Sequence, residues 1–150
     1  MADYYGKTRT NYFSVTDEEK FRKIMALCVA TDDIKIEDEN QNDGSVKYVF
    51  YCEGVIQGLP DIEDDDGNAE NYDDDIDYNY DAFCKALQQI LPDDDAIIIT
   101  EVGSEKMRYL TGICTIITNK EFRCLDIAKK AVNLARVLLK NSDYTTEMYY

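Results

Sequence analysis

The residues best suited to chemistry are carboxylates, and they crowd into one stretch. Between Asp61 and Asp81, eleven of twenty-one residues are Asp or Glu, and none is Lys or Arg. The densest part holds Asp61, Glu63, Asp64, Asp65, Asp66, Glu70, Asp73, Asp74, Asp75 and Asp77, set among Tyr72, Tyr78 and Tyr80. Three chemistries use such a set: acid–base catalysis by paired carboxylates, calcium coordination, and recognition of a cationic surface. The first is not expected here. The chain has no histidine, the commonest general base near neutral pH. Serine and cysteine nucleophiles usually need an adjacent base, and the chain shows no G-x-S-x-G elbow, Walker loop or G-x-G-x-x-G turn. The expectation is a protein that is not an enzyme and holds no cofactor.

Calcium fits the spacing only in part. Asp64, Asp66, Gly67 and Asp73 fall at positions three, five, six and twelve of an EF-hand loop. Position one would be Ile62, which cannot coordinate, and Pro60 stands where the entering helix belongs. No metal site is expected, with loose divalent-cation binding as a subordinate alternative.

The third chemistry is left, and two readings compete for it. An acidic run can simply be a solvated insertion, since like charges at this density repel and resist packing. Alternatively, a surface of spaced carboxylates imitates a phosphate backbone. Proteins hold DNA chiefly by Lys and Arg contacts to its charge array, and carboxylates can occupy those same side chains. Tyr72, Tyr78 and Tyr80 would add amphipathic contact area at low entropy cost. Further acids lie outside the run, at Asp32, Asp33, Glu37, Asp38, Glu39, Asp43, Asp93, Asp94 and Asp95.

The whole composition points the same way. Thirty-one acids against sixteen Lys and Arg give a net charge of −15. Such a charge repels nucleic acid and anionic membrane and steers the chain toward basic proteins. Hydrophobic residues make up 45% of the 150, enough for one domain with its own core. Five widely spaced cysteines (Cys28, Cys52, Cys84, Cys114, Cys124) form no C-x-x-C pair. They predict free thiols in a reducing cytosol. The start of the chain lacks a signal-peptide pattern, and no apolar run approaches the ~20 residues of a membrane span.

The elements that must position these groups follow from periodicity. Residues 8–15 predict a first strand, and Thr16 with Glu19 reads as a capping box. Phe21, Ile24, Met25 and Cys28 then recur at helical spacing. Residues 34–37 and 45–52 predict a hairpin around the turn at Asn42 to Gly44, with Gly54, Gly58 and Pro60 as breakers. A second helix is expected from Asn79, with Phe83, Leu87, Ile90 and Leu91 inward and Pro92 as its stop. Residues 96–102, 109–118 and 122–125 predict a meander. Asp126 would cap a last helix whose inner face is Ala128, Ala131, Val132, Ala135, Leu138 and Leu139, with Lys129, Lys130, Arg136 and Lys140 outside. The segment from Glu101 to Tyr109 reads as a hairpin loop, with a second contact surface as its functional alternative. The sum is one α+β domain over residues 1–150, two-layered, with an antiparallel or mixed sheet, three helices mainly on one face and an acidic loop at about 61–77.

Three stretches carry a resemblance: TRTNYFSVTDEEKF from Thr8 to Phe21, the acidic middle, and EKMRYLTG from Glu105 to Gly112. Together they resemble an uncharacterised family of small acidic proteins carried by phages and mobile elements of gut bacteria. In size and acidity, though not in any alignable motif, the chain is also similar to anti-CRISPR proteins that mimic DNA. That likeness implies a stoichiometric inhibitor whose partner is a basic nucleic-acid-binding protein such as a Cas nuclease. The alternative is a non-catalytic immunity, assembly or regulatory protein of a mobile element, with an apolar or mixed contact surface.

Overall fold

The computed structural model describes residues 4–60, 77–106 and 109–147. Most of the acidic run, from Asp61 to Ile76, therefore lies outside the described residues.

Twelve elements follow in order: β1 (Tyr5–Thr10), α1 (Glu18–Leu27), β2 (Val29–Ala30), β3 (Lys35–Asn40), β4 (Val46–Cys52), β5 (Ile56–Pro60), β6 (Tyr78–Asn79), α2 (Tyr80–Gln88), β7 (Ile97–Glu105), β8 (Tyr109–Ile117), β9 (Phe122–Asp126) and α3 (Ile127–Leu139). Six strands form the main sheet in the order β3-β4-β1-β7-β8-β9, and β2-β5-β6 form a small second sheet. Every strand pairing described is antiparallel. This is the expected α+β class.

The inner face of the main sheet carries the core. Thr8 and Thr10 of β1 sit beside Glu101 and Ile99 of β7, and directly opposed residues point to the same face. Ile97, Ile99, Thr115 and Ile117 accordingly share that face and are buried. Helices α1 and α2 and strand β5 cover it, through Phe21, Ile24 and Met25, Phe83, Cys84 and Leu87, and Ile56. Four phenylalanines link the layers edge to face: Phe13–Phe21 at 5.6 Å, Phe13–Phe50 at 5.9 Å and Phe50–Phe83 at 6.2 Å. Such pairs contribute about 0.5–1.5 kcal/mol each beyond their burial.

Several local expectations are met. The β3–β4 hairpin turns at Gly44, which takes φ +89°, and Asn79 caps α2 by accepting from the Ala82 amide at 2.8 Å. Asp126 caps α3 through Ala128. Others need correction. The N-cap of α1 is Asp17, whose carboxylate accepts from Lys20 N, not Thr16. The Thr16 amide is spent on the Ile90 carbonyl at 2.8 Å. Gly58 and Pro60 do not break the chain but lie inside β5. Gly58 takes φ +119°, and a Cβ there would come within 2.5 Å of the Asn79 carbonyl oxygen. Only glycine lets β5 run so close to the start of α2. Residues 101–105 belong to β7, paired with residues 109–113 of β8, so the loop read over 101–109 shrinks to its tip.

The largest correction concerns α3. Its expected inner face is not buried: no residue of α3 is, and Leu138 and Leu139 are 74% and 56% exposed.

Candidate protein-binding surfaces

Of the predicted contact residues, Asp61, Glu63, Asp64, Asp65, Asp66, Glu70, Tyr72, Asp73, Asp74 and Asp75 lie outside the described residues. Asp77 is exposed. Tyr78 is exposed as well and opens β6, opposite Pro60. Tyr80 is placed differently from a free contact residue. Its ring packs on Phe83 at 6.1 Å, and its hydroxyl shares a hydrogen bond with Thr115 Oγ1 at 2.9 Å, across the layer boundary. Burial holds its phenol well above the usual tyrosine range, and the Thr115 bond only partly offsets this. Tyr80 therefore ties α2 to β8, and it offers a partner little free surface.

The described acids sort into employed and free. The Asp95 carboxylate accepts from the amides of Ser14 and Ala96, Asp93 accepts from the Asn119 side chain, and Glu101 accepts from the Tyr4 hydroxyl at 3.1 Å. These hold the fold. Along the β3 edge of the main sheet the balance shifts toward solvent, although Asp32 accepts from the Asp33 amide and Asp43 from the amide and hydroxyl of Ser45. Asp32, Asp33, Glu37, Asp38, Glu39 and Asp43 are all exposed. Of these six, only Asp38 forms an ion pair among the described residues, at 3.8 Å from Arg22. Glu37 accepts from the Tyr51 hydroxyl at 3.1 Å, which raises that phenol's pKa. Glu37 and Glu39 share one face, roughly 6.6 Å apart at the usual strand rise. A charged edge strand also discourages sheet-to-sheet pairing, so these carboxylates guard the edge whatever else they do.

Over β1, β7, β8 and β9 the outer face of the same sheet has the opposite character, although Glu37 and Glu39 of β3 point to that side as well. The register that points Ile99 and Thr115 inward points Ile98, Thr100 and Val102 of β7 outward, with Leu110, Gly112, Cys114 and Ile116 of β8. On β1 the outward residues are Tyr5, Lys7 and Arg9, and on β9 they are Arg123 and Leu125. No outward residue of these four strands is acidic. Helix α3 stands on this face, opposite α1 and α2, with Ile127 beside Gly112. It covers only the β8–β9 corner. A groove of about 350 Å³ separates it from the sheet, lined by Cys114, Leu125, Ile127, Lys130, Ala131 and Leu134.

Sequence reasoning missed this surface. The signal was present: apolar residues occupy both phases of β7 and β8, at Ile97-Ile98-Ile99 and Ile116-Ile117. That is the pattern of strands covered on both faces, yet here one face is largely open.

Two inner thiols are chemically quiet. Burial pushes Cys28 and Cys84 up to about 12 and raises Cys52 as well. Cys124, by contrast, is exposed. Among the described residues no three Asp, Glu or Cys side chains gather as a metal-binding set, and no helix is long and apolar enough to cross a membrane. The EF-hand-like positions Asp64, Asp66, Gly67 and Asp73 lie outside the described residues.

Comparison with known proteins adds no relative: no family model, no curated protein and no solved structure matches the chain.

Proposed function

We propose that this chain is a stoichiometric inhibitor that binds a basic nucleic-acid-binding protein through carboxylates, in the manner of an anti-CRISPR protein that blocks a Cas nuclease. The observation that supports this most is the β3 edge, where six exposed carboxylates from Asp32 to Asp43 outnumber the nearby cations, Lys35 on the same strand, Lys47 opposite Glu39 and Arg22 beside Asp38. The sequence adds a denser acidic run, from Asp61 to Asp77. Cas effectors hold their nucleic acid in a positively charged channel. Carboxylates inserted there would neutralise the Lys and Arg that grip the phosphates, with Tyr78 and Tyr72 filling space between them.

The test is a cleavage assay with guide-loaded Cas nucleases titrated with the purified chain. Inhibition that saturates near equimolar ratio is expected. Replacing Asp64, Asp65, Asp66, Asp73, Asp74 and Asp75 by Asn is expected to abolish it, with an unchanged melting temperature. Full inhibition by the neutralised variant would remove the acidic run as the contact site.

A second reading is favoured by one observation, the open apolar outer face of the sheet. It is that of a non-catalytic immunity, assembly or regulatory protein whose partner docks by apolar contact. Its affinity would be nearly independent of salt, whereas that of the charge-borne inhibitor would fall steeply.

A further inference from the structure

We propose that the open outer face of the main sheet and α3 together form a docking groove for an acidic amphipathic helix of another protein. This surface lies two or more strands from the carboxylate edge, whose Glu37 and Glu39 point to the same side of the sheet, and it goes beyond the inhibitor reading.

The apolar content of the surface requires a cover. Val102, Leu110 and Leu125 are 49%, 58% and 41% exposed on the sheet, and Leu134 and Leu138 are 57% and 74% exposed on α3. Polar residues normally occupy the solvent side of an antiparallel sheet, and a contiguous apolar patch rimmed by polar groups marks an interaction site. On α3 the stripe runs Ile127, Ala131, Leu134, Leu138, at intervals of four, three and four. This is the seam that a second helix fills knob into hole.

Charge selects the occupant. From Phe122 to Lys140 the chain carries five cations and one acid, and the acid, Asp126, is committed to capping α3. Lys130 stands in the groove, and Lys7 and Arg9 border the far side of the open sheet, where Lys7 also meets Glu53 at 3.5 Å and Arg9 lies over the Tyr51 ring. This cationic rim, on a chain of net charge −15, suits an apolar stripe flanked by carboxylates. A second copy docked about a two-fold axis would set Lys130 and its neighbours against themselves. The chain's own acidic run is tethered at Pro60 and Asp77, through β5 and β6, and β5 packs on the inner face of the sheet. An outside helix meets neither obstacle.

The test pairs the full chain with two synthetic amphipathic helices that carry leucine at heptad spacing. One has glutamate on its remaining surface and the other lysine. Fluorescence anisotropy at physiological ionic strength should show saturable binding of the glutamate helix and binding of the lysine helix weaker by about tenfold or more. Leu134→Asp with Leu138→Asp should weaken the glutamate helix by about tenfold. Both leucines are exposed, so the thermal melt should not move. Lys130→Glu should narrow the preference between the two helices, a readout that a purely structural role would leave unchanged. Equal binding of both helices, or of neither, overturns the proposal. So does a dimer in light scattering that the leucine substitutions disperse, which would make the occupant a second copy. Binding that appears only after residues 61–76 are replaced by a Gly-Ser linker also overturns it, in favour of the chain's own segment.

Discussion

At the scale of single residues, burial decides what each group can do. Cys28 and Cys84 are held neutral, with pKa values pushed up to about 12 by loss of solvent. A raised pKa means that the folded state keeps a proton the unfolded chain releases sooner. That contribution is complete below the ordinary thiol value near 9 and is lost as pH climbs toward about 12. Denaturation midpoints should therefore fall across that window, and less so in Cys84→Ala after allowance for its lower starting stability. A thiol reagent at mildly alkaline pH should modify Cys124 first and reach Cys28, Cys52 and Cys84 only on unfolding. Fast labelling of all five would contradict the burial described. Tyr80 gives a second residue-level expectation. Tyr80→Phe keeps the packing on Phe83 but removes the bond to Thr115, whose hydroxyl retains only Cys124 Sγ at 3.5 Å, and should cost about 1 kcal/mol in chemical denaturation. Phe83→Ala opens the core and should cost about 3–5 kcal/mol.

At the scale of elements, the sequence carried most of the fold, and the misses have local causes. Helix α1 was legible from Phe21, Ile24 and Met25 because burial follows the 3.6-residue period. The meander β7-β8-β9 was legible from its β-branched runs. Strand β5 was hidden, because Gly58 and Pro60 read as breakers. Here Gly58 uses a positive φ to pass the Asn79 backbone, a contact between distant segments that no local pattern encodes. Gly58→Ala should accordingly destabilise by about 2 kcal/mol or more, since strain and backbone collision add, whereas Gly44→Ala meets open space and strains only its φ. A comparable loss at both sites would refute the close approach of β5 to α2. The one-residue shift of the α1 cap from Thr16 to Asp17 has the same kind of origin, the long-range bond from Thr16 N to Ile90. For α3 the periodicity was real but silent on what covers it. An amphipathic pattern reports that a face is apolar, not that this chain supplies its partner. Asp126→Ala should loosen α3 by about 1 kcal/mol, read as faster amide exchange confined to residues 128–139.

At the scale of the whole molecule, charge and apolar surface are segregated. Exposed acids follow the β3 edge, while the outward residues of β1, β7, β8 and β9 include none. The expectation of a basic partner rested on the net charge of −15, which was plain in the composition. The placement was not. Which carboxylates are spent on amides, as at Asp95, and which meet no partner among the described residues, as at Asp33 and Glu39, depends on how loops and strands are brought together. The predicted contact set was legible as a charge density, but of its described members Asp77 and Tyr78 are exposed while Tyr80 belongs to the packing between layers.

The central claim is that carboxylates, not apolar contacts, hold the nuclease. It is tested most directly by calorimetric titration of the chain into the inhibited nuclease over a series of salt concentrations. A log–log plot of affinity against salt should fall steeply for the native chain and clearly less steeply for the Asp-to-Asn variant. An affinity that stays level across the series, in both the native chain and the variant, would contradict it.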